Sequence, residues 1–232
     1  MGLAKPINIP MHASTKLDKD KNENNVDKTR YQRMIGSQIY LTALRPDIIF
    51  IVRLCSRFQS QPKESHLSAV KRIIRYIFGT TNYGLWYPKS DSINLIGYSD
   101  ANFAGDRIDR RSTSAICCTI GNVLNVWTNK KQGKVAMFTV EAKYIVVSLF
   151  CCQLFYYKLN VSNILLMCDN MSVINISKNL VLLSRIEHIE VKYHSIRELV
   201  HNRNIDIQFV KFKDQLADIL TKLLVEERFL QA

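Results

Sequence analysis

The chain has 232 residues, room for one ordinary domain with an appendage or for two small ones. Apolar residues make up 47% of it, which allows a packed core and excludes general disorder. Its 32 Lys and Arg against 20 Asp and Glu give a net charge of +12, which fits a soluble basic protein or one with a polyanionic partner, nucleic acid before an acidic membrane.

In chain order, residues 14–30 are polar and charge-mixed and read as a solvated segment. A helix is predicted over about 28–44, with Tyr31, Met34, Ile35, Ile39 and Ala43 at three- and four-residue spacings. Pro46 sits in the first turn of the next helix, with Asp47 near its positive end. A third helix, about 64–78, places Leu67, Val70, Ile73, Ile74 and Ile77 on one face, and Gly79 stops it. From residue 83 the period changes. YGLWYP is a lead-in, and INLIGYSD, SAICCTIG and VLNVWTNK are short strands separated by turn residues. A helix from about 139 to 158, a buried strand ILLMCD (164–169), helices at 170–178 and 185–201, a strand IDIQFVKF (205–212) and a helix from 214 complete the order. Consecutive strands pair antiparallel and strands separated by helices pair parallel, so a mixed sheet with helices on its faces is expected.

The basic excess is uneven. Residues 1–150 hold 22 basic and 11 acidic side chains, the remainder ten and nine. Six cysteines, at 55, 117, 118, 151, 152 and 168, form no C-x-x-C pair, and two adjacent pairs make a poor disulfide framework. Reduced, buried thiols and an intracellular setting are expected. The N-terminus lacks the apolar core of a secretory signal. The longest apolar run, 145–157, is shorter than the roughly 20 residues that span a bilayer, so it reads as a core helix and no membrane partner is expected.

Two buried strands end on acids, INLIGYSD on Asp100 and ILLMCD on Asp169. As parallel neighbours they would set both carboxylates side by side at the edge where sites form in open sheets. Glu141, in the first turn of the long helix, and Asp218, after the last strand, could join them. Taken singly, Asp100 and Asp169 could be turn residues, Glu141 a helix-dipole partner and Asp218 a solvated residue. Two carboxylates about 5 Å apart repel by roughly 3 kcal/mol at an effective dielectric near 20. Several together raise pKa values or require a hard cation with oxygen ligands, Mg²⁺ above all. His188, His194 and His201 have no cysteine partners and no tight metal spacing, and read as ordinary surface or helix-end residues.

GYSDANFAGD, DRRSTS, TVEAKY, MCDNMSVINISKN, RIEHIEVKYHSIRE and KDQLADILTK, in that order, closely resemble the ribonuclease H region of copia-type retrotransposon Pol polyproteins. YQRMIGSQIYLTALRPDIIF and PKESHLSAVKRIIRYIFGTTNYGLWYP resemble the tail of the reverse transcriptase that precedes it. The resemblance implies an α/β, ribonuclease H-like fold, a five-stranded mixed sheet flanked by helices over residues 83–232. It implies a helical reverse-transcriptase remnant at 28–82, after a polar, flexible segment at 1–27. The implied activity is metal-dependent cleavage of the RNA strand of an RNA–DNA hybrid, with no polymerase activity. The family's metal-binding and catalytic acids fall on Asp100, Glu141, Asp169 and Asp218, which would hold two Mg²⁺ ions, Mn²⁺ being a substitute. Candidate nucleic-acid contacts are Arg110, Arg111, Ser112 and Thr113, then Lys130, Lys131 and Lys134, with a solvated turn as the alternative. Asn170 could contact a ribose or cap the next helix.

Several positions depart from the family pattern. Asn102 stands where a second Asp is common, Ala115 where a Gly follows S-T-S, and Leu223 where a Pro follows Thr221-Lys222. Lys143 stands where a second acid follows Glu141, a positive charge that works against metal binding there. The chain has no Y-x-D-D polymerase motif, and so reads as a fragment whose upstream polymerase partner is lost. A virus-like particle or the cytoplasm is the expected location. A non-catalytic relic, keeping the fold and at most weak nucleic-acid affinity, is the alternative to an active nuclease.

Overall fold

The computed structural model describes residues 5–19, 22–89, 94–121, 123–156, 164–178, 196, 199–202 and 204–230. These fall into two compact units, one built on residues 1–85 with 107–109 and 222–232, the other on 86–106 with 110–221.

The first unit is helical. Helix α1 (Lys28–Leu41) starts at Asp27, whose carboxylate accepts the Arg30 N–H at 3.1 Å, an N-cap. A 3-10 turn (Pro46–Ile48) leads into α2 (Ile49–Ser56), and α3 (Glu64–Gly79) follows. Tyr31, Ile35, Val52, Cys55, Val70, Ile73 and Tyr76 form its core, joined by Leu223 and by Phe229 of the short terminal helix α6 (Glu226–Phe229). The buried face of α3 is rotated from the predicted one. Leu67, Ile74 and Ile77 are half-buried, whereas His66 and Tyr76 are buried. Both can be buried because their polar atoms are satisfied. His66 Nδ1 accepts the Lys63 N–H, its Nε2 lies 2.7 Å from the Asp18 carbonyl, and the Tyr76 hydroxyl donates to Asp47 at 2.5 Å. The stretch 14–30 is not wholly solvated either, since Leu17 inserts into this core.

The second unit is the expected mixed sheet: β1 (Leu95–Asn102), β2 (Thr113–Ile120), β3 (Val123–Lys131), β4 (Ile164–Cys168) and β5 (Ile205–Phe209), in the order β3-β2-β1-β4-β5. β1 pairs antiparallel with β2, and β2 with β3; β1–β4 and β4–β5 are parallel. Helix α4 (Thr139–Tyr156) lies against β1 and β2, and α5 (Met171–Lys178) follows β4. Gly97 sets how closely α4 approaches. A Cβ there would sit 2.5 Å from Phe150 Cζ and 3.2 Å from Leu166 Cδ1.

Residues 83–88 form no strand. Most of the predicted 185–201 helix, with His188 and His194, lies outside the described residues; His201 is exposed. The helix predicted from 214 is instead a pair of 3-10 turns (Phe212–Asp214 and Leu216–Leu220), then α6. Gln215 is the break. It is extended (φ −81°, ψ 99°), and its side chain accepts the Ala217 N–H, capping the second turn.

Candidate functional site

The parallel register of β1 and β4 makes Ser99 and Cys168 partners, so Asp100 and Asp169 are the next residues along neighbouring strands. The sequence expectation for this pair holds. What stands between them is the ammonium of Lys143. Its Nζ is 3.0 Å from Asp100 Oδ1 and is also hydrogen-bonded to Asp169 Oδ1. Two oxygens held by one nitrogen are less than about 6 Å apart, twice a hydrogen-bond length. The Asp100, Asp169 and Lys143 side chains are only 1%, 10% and 11% exposed, so the three charges meet largely out of water. Burial opposes the ammonium, but the charge of Asp100 and the hydrogen bond and charge of Asp169 outweigh it, and the Lys143 pKa is raised.

The helical period explains which residue arrives. Lys143 shares a stripe of α4 with Val147, Phe150 and Leu154, all buried. Glu141 lies roughly 200° around the helix from Lys143 at about 100° per residue. Its carboxylate accepts the Met137 N–H at 2.6 Å, closing the helix N-terminus.

Asp218, in the 3-10 turn, is buried and joins the network through Thr221. The Thr221 hydroxyl donates to Asp100 Oδ2, and its N–H donates to the Asp218 carbonyl at 3.0 Å. Three amide side chains fasten this turn to the sheet. Gln215 donates to the Ser99 carbonyl at 3.1 Å, Asn102 to the Thr221 carbonyl at 3.2 Å, and Asn129 to the Leu220 carbonyl. Asn102 thus uses its departure from the family's Asp, because only the amide can donate to a carbonyl.

The rim residues divide. Arg110 and Lys130 are exposed and Arg111 is half-exposed. Lys130 and Lys131 align through β2 with Ala101 and Asn102, at the same sheet end as the acids. Ser112 and Thr113 are buried. Ser112 Oγ accepts the Ala104 N–H at 3.1 Å, which makes it a turn residue rather than an outward contact. Lys131 is paired to the buried Asp106 at 2.6 Å. Asn170 caps α5, its Oδ1 accepting the Val173 N–H at 3.0 Å.

Divalent ions do not fit the residues present. Mg²⁺ requires an octahedron of oxygens. Among the described residues, no three His, Cys, Asp or Glu side chains are grouped to hold a metal. A divalent ion about 4 Å from the ammonium would be repelled by roughly 8 kcal/mol at an effective dielectric of 20, so it would have to compete with Lys143 for the two carboxylates rather than join it. Among the described residues the structure shows Asp100 and Asp169 as an acid pair with its own cation, Asp218 linked to it through Thr221, and Glu141 held at the helix N-terminus. Sequence reasoning missed this role of Lys143, along with the contributions of Thr221, Gln215 and Asn129. Hydrophobic periodicity offered no signal for Lys143, since α4 buries residues on nearly every face, Tyr144, Ser148 and Cys151 as well as Val147 and Phe150.

A five-stranded sheet of this order, with helices on it and acids near the C-terminal ends of two adjacent parallel strands, defines a ribonuclease H-like domain. No family model matches the chain. It is 36% identical over 234 residues to the retrovirus-related Pol polyprotein from transposon RE1 of Arabidopsis thaliana, covering 97% of this chain and 16% of that protein. It is 34% identical over 240 residues to the Pol polyprotein from transposon TNT 1-94 of Nicotiana tabacum, covering 97% and 18%. The chain is homologous over nearly its whole length to retrovirus-related Pol polyproteins and spans less than a fifth of those relatives' length. Among solved structures, RNase H1 from the archaeon Halobacterium salinarum superposes with a TM-score of 0.44 at 15% identity, over 60% of this chain and 99% of that one. Among the described residues, no helix is long and apolar enough to cross a membrane.

Proposed function

We propose that this chain is a ribonuclease H-like module of a Pol polyprotein that engages RNA–DNA hybrids without cleaving them by a metal-dependent route. The observation that carries this reading is the ion pairing of Lys143 with both Asp100 and Asp169. Binding draws support from the net +12 charge and from Arg110, Arg111, Lys130 and Lys134 near the sheet end that carries the acids. Such contacts would read the hybrid by its backbone and groove shape rather than by base sequence.

Magnesium-dependent cleavage is the competing reading. It is favoured by the side-by-side placement of Asp100 and Asp169. A labelled hybrid separates the two. The expected result is salt-sensitive binding, weakened by neutralising Arg110 and Lys130 together, with the RNA strand intact after incubation with Mg²⁺. Cleavage that requires Mg²⁺ and disappears in Asp100→Asn would overturn the non-cleaving reading, and an absence of binding at low salt would overturn the hybrid partner.

A further inference from the structure

Lys143 has the placement of a bound ion. Its ammonium takes one oxygen from each of two acids on adjacent parallel strands, Asp100 near the end of β1 and Asp169 just past β4. Its stem rises from a helix whose buried stripe packs on the sheet, so the charge cannot diffuse away. The second oxygen of Asp100 accepts the Thr221 hydroxyl, and the Thr221 backbone N–H donates to the Asp218 carbonyl. The Asp100–Asp169 pair is thus held by a monovalent cation supplied by the chain itself.

We propose that Lys143 is a tethered replacement for a dissociable divalent ion: it neutralises the Asp100–Asp169 pair, joins β1, β4 and α4, and keeps Mg²⁺ out. The acids are retained because they hold a lysine. Removing the lysine charge exposes a pair of carboxylates that then depends on a dissolved cation. This deepens the non-cleaving reading above, but it concerns cation binding alone, so a failure of hybrid binding would leave it standing.

The test is thermal unfolding of the full chain in EDTA, Mg²⁺ or Mn²⁺ at matched ionic strength. Tryptophan fluorescence is a suitable probe, since Trp86 and Trp127 both belong to the sheet unit. Wild type is expected to show the same midpoint in all three. Lys143→Met, which keeps the stem and removes the charge, is expected to melt lower in EDTA. It should recover by about 5–10 °C at an ion concentration a hundredfold above its Kd. Lys143→Met combined with Asp100→Asn should lose that recovery. A wild-type midpoint that rises with Mg²⁺ overturns the proposal, as does a folded Lys143→Met with no response to either ion. Should Lys143→Met fail to fold, calorimetric titration of wild type with Mn²⁺ decides. No saturable binding is expected, and a site lost in Asp100→Asn refutes the idea.

Discussion

Asp100→Asn discriminates between a lysine-held pair and a metal-binding cluster by the sign of its effect on stability. In a cluster of like-charged acids, removing one charge relieves repulsion and the metal-free protein gains stability. In the arrangement found here the carboxylate is the partner of a buried ammonium 3.0 Å away. The gross attraction at that distance is about 5–6 kcal/mol at an effective dielectric of 20, much of it offset by desolvation. Breaking one partner of a buried pair costs about 3–5 kcal/mol. Asparagine keeps an oxygen for Lys143 and presents an amide to the Thr221 hydroxyl, recovering about 1 kcal/mol. The net loss should be about 2–4 kcal/mol. Because the chain has two compact units, the assay should report on the sheet alone, and both tryptophans lie in that unit. In urea, with a slope of about 2 kcal/mol/M, the fluorescence midpoint should fall by about 1–2 M. An unchanged or raised midpoint in EDTA would refute the reasoning.

Gly97→Ala should destabilise the sheet unit by about 1–3 kcal/mol, since the new methyl meets the Phe150 ring, and Phe150→Leu in the same chain should restore part of the loss in urea unfolding. Asn170→Ala should cost about 1 kcal/mol through loss of the α5 cap and leave hybrid affinity unchanged; a selective fall in affinity would instead assign Asn170 to ribose contact. Burial raises the thiol pKa to about 12 at Cys55, Cys118 and Cys151 and to about 11 at Cys168, and raises that of Cys117 too, whereas Cys152 is exposed. A thiolate reagent at mildly alkaline pH should therefore label Cys152 in the native protein and all six cysteines only in denaturant, as read by mass spectrometry.

The sheet was legible because its signals are local and redundant. Short apolar runs, turn residues between them and an apolar run after Thr139 too long for a strand fix both the elements and their pairing. The acid pair was legible for the same reason, as two buried strands ending on Asp. The contact Glu141 makes with the Met137 N–H was not legible, because it depends on how the chain enters the helix. Periodicity does not separate Glu141 from Lys143, since Tyr144, Ser148 and Cys151 are buried as well as Val147 and Phe150. The C-terminal helix was overread because Gln215, an acceptable helix former, spends its side chain on the Ala217 N–H and the Ser99 carbonyl. That exchange depends on a strand more than a hundred residues away and leaves no local trace. The burial of Ser112 and Thr113 was hidden in the same way, since polar residues in a charged turn look solvated until their partners are known.

The central claim, that a lysine rather than a metal ion sits between Asp100 and Asp169, is tested most directly by diffraction from crystals soaked in Mn²⁺, with anomalous scattering used to locate the metal. The account predicts no anomalous peak in reach of Asp100, Asp169 or Asp218, and continuous density from the Lys143 ammonium to both strand-end carboxylates. A peak bridging those carboxylates, with the Lys143 side chain swung away, would contradict it.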